Sequence, residues 1–331
     1  MPYKIALAGS SQYTVMMAEA LQTDNRFEIS YALSPVPKLI GRKQVLTKNP
    51  LQAWAKADQI TNFAVEKKID GALQEKLLTV GEIDFLLVVD FGYLIPSWLL
   101  QIPKIAPLNI HPSLLPKWRG SSPGQFALLF KDLAEETKQS AVTLMIMNNG
   151  LDQGPIIAQL PFEIEENWTQ NEYYKHAFTL IAKKLANLIS DFAQGKITSQ
   201  NQPLESPTII ARRLTKEDSY IAWNDLQKLM QVGLEKISLS ETSTTNPLLL
   251  SNLLANEKIC KNKREQIQLI INASRAFSPW PGLWTVIKTN QGEKRMKIFA
   301  CHMDNQQLVL DRVQIEGKNP CLFRECKNAL L

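Results

Sequence analysis

The stretch FLLVVDFGYLIPSWLLQIPKIAPLNIH, residues 85–111, decides the fold class. Its ends, FLLVVDF (85–91) and PLNIH (107–111), are short apolar runs of strand length. Helix-like stretches lie between most of the chain's apolar runs. A strand, a helical crossover and a second strand form a βαβ unit, and such a crossover joins parallel strands. The pattern repeats outward. KIALAGS (4–10), FEISYAL (27–33), FAV (63–65) and AVTLMIM (141–147) read as buried strands, with helical stretches such as TVMMAEALQ between most of them. GPIIAQLPFEI (154–164) reads as an edge strand, and 171–194 as one long amphipathic helix. The expected architecture is α/β, a doubly wound, mostly parallel, Rossmann-like sheet.

The pattern changes after GKITSQNQPLESP, a polar, proline-bearing stretch at 195–207 that reads as a linker. The chain's 331 residues favour two domains. The expected division is a domain over 1–194, the linker, and a second domain over 208–331. DSYIAWNDLQKLMQ and REQIQLIINASRAF read as helices, and residues 238–252 as a Ser/Thr-rich loop. PWPGLWTVIKT, RMKIFACHM, LVLDRVQI and PCLFRE are short strand-like pieces, which fit a small β-barrel.

Charge divides along the same line. Residues 1–205 carry 19 Lys and Arg against 20 Asp and Glu; residues 206–331 carry 18 against 12. The basic C-terminal part suits an anionic partner, of which nucleic acid is the usual one. No apolar run reaches the roughly 18 residues of a membrane span. The N-terminus enters a strand directly and does not read as a signal peptide. Cys260, Cys301, Cys321 and Cys326 form neither a C-x-x-C pair nor a metal pattern. Reduced thiols in a cytoplasmic protein without a metal are expected. The single glycine after the first strand leaves a nicotinamide fingerprint without support.

Three histidines occur in the chain, and His111 stands at a strand end, two residues after Asn109. Residues two apart on a strand face the same side. An amide that can hold an oxyanion beside an imidazole that can relay a proton suits acyl chemistry. The pair alone leaves a second reading open, a turn cap before Pro112. Asp152, between the glycines of NNGLDQGPI (148–156), offers the carboxylate that would orient the imidazole, or else a simple Asp turn.

LNIHPSLLPKWRGSSP, followed about 40 residues later by GLDQGPI, resembles the signature of the 10-formyltetrahydrofolate-dependent formyltransferases. The resemblance implies a catalytic triad of Asn109, His111 and Asp152, with a folate site lined by Ser113, Leu114, Leu115 and Pro116. It also matches Phe91 and Gly92 to the tip of a folate-pocket loop. SPVPKLIGRKQVLTKNP (34–50) has no acidic residue and resembles the basic loop of the tRNA-formylating members. This implies phosphate contacts from Lys38, Arg42, Lys43 and Lys48. RLTKEDSYIAW, SRAFSPWPGLWT and VQIEGKNP resemble the linker and the small OB-like barrel of those members. The implied reaction passes the formyl group of 10-formyltetrahydrofolate, a co-substrate, to the α-amine of initiator methionyl-tRNA. No metal, no membrane and a monomer are expected.

Three departures stand out. Gly9-Ser10-Ser11 replaces the family's Gly-Thr-Pro, Asp90 stands where a small apolar residue is usual, and about 230–266 reads as an insertion. Three alternatives share parts of this pattern: an amino-sugar N-formyltransferase, a 10-formyltetrahydrofolate hydrolase, and a catalytically silent RNA-binding relative.

Overall fold

The structure is a computed structural model that describes residues 1–40, 44–133, 138–232, 236–238 and 249–326. Nine strands precede residue 164: β1 (Tyr3–Gly9), β2 (Phe27–Pro35), β3 (Lys38–Ile40), β4 (Val45–Thr47), β5 (Asn62–Val65), β6 (Phe85–Val89), β7 (Ala106–His111), β8 (Gln139–Ile146) and β9 (Ile156–Glu163). Seven of them form one sheet in the order β5-β2-β1-β6-β7-β8-β9. The strands from β5 to β7 are parallel, and β8 runs antiparallel to β7. The apolar runs of β1 and β6 are buried along almost their whole length, as expected of strands covered on both faces. β9 lies at the sheet edge, where its alternating, partly exposed pattern belongs. β3 and β4 form a separate antiparallel hairpin.

The helix Gln12–Gln22 follows β1 and is capped by Ser11, whose Oγ accepts the Tyr13 N–H at 3.2 Å. Ser11 therefore supplies the N-cap that the family's proline could not. On one face of the sheet, Ala6, Leu33, Val65, Leu86 and Val88 pack with Leu73 and Leu77 of the helix Gly71–Leu78. Residues 171–194 do not make one helix. Gln170–Ala182 and Leu185–Ala193 are separated by a single tightened turn, in which the Lys184 N–H bonds the Ile181 carbonyl at 2.9 Å. Ile181, Leu185 and Ile189 stay buried across that turn, so the four-residue apolar spacing survives the break.

The later strands are β10 (Leu283–Thr289), β11 (Gly292–Asp304), β12 (Gln307–Ile315) and β13 (Cys321–Leu322). They form a four-stranded antiparallel sheet in that order. The helices Trp223–Leu229 and Lys263–Ala276 match the two helical readings. Leu249–Ala255 is a helix where a loop was expected, because Leu249, Leu250, Leu253 and Leu254 bury one face. The rest of 238–252, beyond residue 238, lies outside the described residues, as do 233–235 of the insertion.

By compactness the chain divides into two units: 1–120, 141–162 and 175–210; and 121–140, 163–174 and 211–331. These do not follow the expected 1–194, 195–207 and 208–331 segments one for one. Residues 195–207, read as linker, pack with the first unit, as do 208–210. The helix Pro123–Phe130 packs with the second, against Lys263–Ala276. Its final carbonyls, which a helix cannot satisfy itself, are bonded by Asn272. The Asn272 amide donates to Leu129 O at 3.0 Å and to Lys131 O at 2.8 Å.

Candidate active site

Strand order reverses between β1 and β6. In open α/β sheets, ligands bind outside the carboxyl ends of the strands at such a point. The turns after β1 and β6 are tied together there. Thr14 Oγ1 donates to Val89 O at 2.8 Å, and Ser10 Oγ donates to Asp90 O at 3.1 Å. A Cβ on Gly9 would stand 2.4 Å from Val89 O, so this approach requires glycine.

Asp90 adopts a left-handed backbone, φ +49°. Asp and Asn tolerate that region better than aliphatic residues do. The local backbone thus gives a physical reason for a carboxylate where a small apolar residue is usual. Phe91, half-buried, packs beside Tyr93 with ring centroids 5.3 Å apart, and Gly92 is exposed.

β7 carries Asn109 and His111. Asn109 lies opposite Val88 of β6 and Met145 of β8; His111, the last residue of the strand, lies opposite Thr143. The two share one side of the strand. Asn109 is half-buried, and its side chain makes no hydrogen bond among the described residues. His111 is 4% exposed. Its Nε2 lies 3.0 Å from the Trp118 carbonyl oxygen. A carbonyl only accepts, so Nε2 carries the hydrogen. In the neutral ring Nδ1 then holds a lone pair. Nδ1 lies 3.7 Å from Asp152 Oδ2, an ion-pair distance rather than a hydrogen bond.

Asp152 occupies the loop between β8 and β9, itself left-handed at φ +50°. Its Oδ2 accepts the Gly120 N–H at 2.8 Å. Gly154 shapes the loop: a Cβ there would stand 1.8 Å from Ile146 O. The three residues read from the sequence as a catalytic set thus come to one region of the first unit. Their chemistry is complementary: an amide donor, an imidazole with one nitrogen committed, and a carboxylate facing the other nitrogen.

The turn 113–116 differs in detail from a plain ligand lining. Ser113 is fully buried, and its Oγ donates to Lys117 O at 2.8 Å. Ser113 O accepts from Thr143 Oγ1 at 2.7 Å, and Leu115 O from Gln159 Nε2 at 2.8 Å. Leu115 is buried, while Leu114 and Pro116 are half-buried. The side chain of Ser113 is therefore spent inside the turn.

In the basic loop, Lys38 and Lys48 are exposed. Arg42 and Lys43 lie outside the described residues. The hairpin also exposes Leu39, Val45 and Leu46, which charge counting passed over. Sequence reasoning also missed Trp118, Arg119, Gln202 and Thr208. Arg119 is 1% exposed, and burial pulls its guanidinium below its usual range while Asp152 pulls the other way. Among the described residues, no group of three or more His, Cys, Asp or Glu could hold a metal ion, and no helix is long and apolar enough to cross a membrane.

Residues 3–187 match the formyl transferase family model. The chain is 27% identical over 316 residues to the methionyl-tRNA formyltransferase of Bartonella henselae, covering 95% of this chain and 86% of that protein. It is 28% identical over 340 residues to that of Ehrlichia chaffeensis, covering 97% and 95%. Among solved structures, the fold resembles an N-formyltransferase from Helicobacter canadensis, with a TM-score of 0.56, 17% identity, and 92% and 88% coverage. It also resembles the methionyl-tRNA formyltransferase of Clostridium thermocellum, with a TM-score of 0.50, 15% identity, and 95% and 98% coverage. With the family model spanning more than half of its length, this chain belongs to the formyl transferase family.

Proposed function

We propose that this formyl transferase moves the formyl group of 10-formyltetrahydrofolate onto the α-amine of methionine carried by initiator tRNA, in translation initiation. The observation that carries the chemistry is the placement of Asn109 and His111 at the end of β7 with Asp152, from the loop between β8 and β9, facing the imidazole. The amine nitrogen attacks the formyl carbon, and a tetrahedral oxyanion forms. Asn109 donates its amide hydrogen to that oxygen. His111 Nδ1 takes the proton the amine sheds, and the Asp152 carboxylate stabilises the imidazolium. The bond from the formyl carbon to N10 then breaks, and the proton passes to N10. The products are the formamide and tetrahydrofolate.

The residues fit the folate donor as a co-substrate. Leu114, Pro116, Phe91 and Gly92 are the partly exposed members of the two turns beside the reacting groups. Their role as its lining is part of this proposal.

The tRNA acceptor rests on other features. Relatives named for that activity align with nearly the whole chain. Lys38 and Lys48 stand exposed on a loop without carboxylates. On the C-terminal sheet, Arg295 stacks over Trp284 at 4.4 Å, and Lys297 pairs opposite Trp284 in the register. Basic and aromatic groups on one sheet face suit RNA backbone and base contacts. The proposed tRNA-binding part is 208–331, acting as a monomer in the cytoplasm.

The test is formylation of charged initiator tRNA with 10-formyltetrahydrofolate, beside His111→Ala and beside a nucleotide-linked amino sugar as the rival acceptor. Formyl-methionyl-tRNA from the unaltered chain, lost in the variant, is expected. Formylation of the sugar alone would overturn the acceptor.

A further inference from the structure

Residues 202–207 belong to the stretch read from composition as a linker, yet together with the next residue, Thr208, they grip the site. Trp118 donates its N–H to Thr208 Oγ1 at 2.9 Å, and its carbonyl accepts from His111 Nε2 at 3.0 Å. One peptide residue thus joins the catalytic imidazole to the strap. The next residue, Arg119, is held by the same strap. Its guanidinium donates to Gln202 Oε1 at 3.0 and 3.3 Å, to Pro203 O at 2.7 Å and to Leu204 O at 2.9 Å. Gln202 turns its amide nitrogen the other way, to Asp152 O at 3.0 Å and Gly154 O at 2.7 Å. Ser206 Oγ adds a bond to Pro116 O at 3.0 Å.

The strap therefore holds both sides of the imidazole. Through Thr208 it fixes the carbonyl that receives Nε2–H. Through Gln202 it fixes the backbone of Asp152, whose carboxylate faces Nδ1. Trp118 needs this support, because its left-handed backbone (φ +61°) is an uncommon state for a bulky residue. A hydrogen bond to a carbonyl selects one imidazole tautomer. The tautomer with hydrogen on Nε2 leaves Nδ1 as the base beside Asp152.

We infer that Thr208 and Gln202 are positioning residues: they hold the Trp118 carbonyl and the Asp152 loop so that neutral His111 keeps its hydrogen on Nε2 and offers Nδ1 to the reacting amine. The inference rests on the formyl-transfer reading for its catalytic consequence, but its tautomer consequence is independent of any substrate.

The experiment uses the full chain with ¹⁵N-labelled histidine. Only three histidines are present, and His111→Ala assigns the relevant signals. The unaltered protein should show a protonated Nε2 and an unprotonated Nδ1 on neutral His111. Thr208→Val, which removes the acceptor at nearly constant size, should give mixed tautomer signals. Its kcat should fall about 10- to 100-fold, the scale of a small misplacement of a reacting group, with the KM for the folate donor changed less. Thr208→Ser should restore both. Gln202→Met serves as a second variant should Thr208→Val fail to fold, and should lower kcat in the same way. A single Nε2–H tautomer with unchanged kcat in Thr208→Val or in Gln202→Met would overturn the inference. So would an Nδ1–H tautomer in the unaltered chain. A chain with the expected tautomer but no formylation of any acceptor would sink the proposed function and leave the strap standing.

Discussion

The backbone N–H of Gly120 donates to Asp152 Oδ2 at 2.8 Å, and that same oxygen faces His111 Nδ1 at 3.7 Å. The carboxylate is thus anchored by the turn that follows the histidine. Asp152→Asn keeps an oxygen able to accept from Gly120, so the loop should hold. The charge facing Nδ1 is lost. We expect kcat to fall about 10- to 100-fold. That is less than the roughly 10⁴-fold of a directly bonded triad aspartate, because the gap here exceeds a hydrogen bond. A steady-state assay beside a thermal melt checks both halves; unchanged kcat would remove Asp152 from the chemistry.

Asn109 has a different signature. Its amide makes no hydrogen bond among the described residues, so Asn109→Ala should cost little stability. Loss of one oxyanion donor typically lowers kcat about 100- to 1000-fold. Single-turnover formylation, with folding monitored by circular dichroism, measures this. Near-full turnover would show that the oxyanion is held elsewhere.

Lys38 and Lys48 should act on tRNA affinity and leave formyl transfer at saturation unchanged. Each phosphate contact removed lowers the salt slope of binding by about 1. Titrations of Lys38→Ala and Lys48→Ala with initiator tRNA at several salt concentrations read that slope. Slopes equal to the unaltered protein's would take the hairpin out of the interface.

Stability of the second unit depends on Asp218. It is 3% exposed and accepts from both terminal nitrogens of Arg212, at 2.8 and 2.6 Å, and from the Thr215 N–H at 2.7 Å. Burial pushes its carboxyl up, but the Arg212 hydrogen bonds and the Thr215 N–H outweigh that and hold it below the usual carboxylate range. A folded-state value below the unfolded one stabilises at neutral pH. The contribution is lost as pH falls past about 3.9, the ordinary Asp value, through the lower folded one. Asp218→Ala leaves the Thr215 N–H without its acceptor and should cost about 1–3 kcal/mol at pH 7. Denaturant melts at pH 7 and pH 3 should show the difference narrowing in acid.

The sequence made the strands and the Asn109/His111 pair readable, because both depend on local pattern. β6 is an unbroken apolar run, β1 is one from Ile5 onward, and Asn109 and His111 are separated by one residue on β7. Other features depend on partners distant in the chain. The polar, proline-bearing composition of 195–207 looks the same whether it is a free linker or a strap. What decides is the acceptor and donor atoms it meets at Trp118, Arg119 and Asp152. The turn at Lys183–Lys184 was hidden because the apolar spacing of Ile181, Leu185 and Ile189 runs through it unbroken. Asp90 looked like a departure until its positive φ supplied a reason for it.

The bond between Trp118 and Thr208 spans 90 residues. Contacts so far apart in sequence form slowly, because the intervening chain must first be brought together. During synthesis, β7 and its histidine emerge long before Thr208 does. The nascent protein can therefore complete much of its parallel sheet before the strap exists, and the fixing of the Trp118 carbonyl behind the imidazole becomes a late event in its maturation.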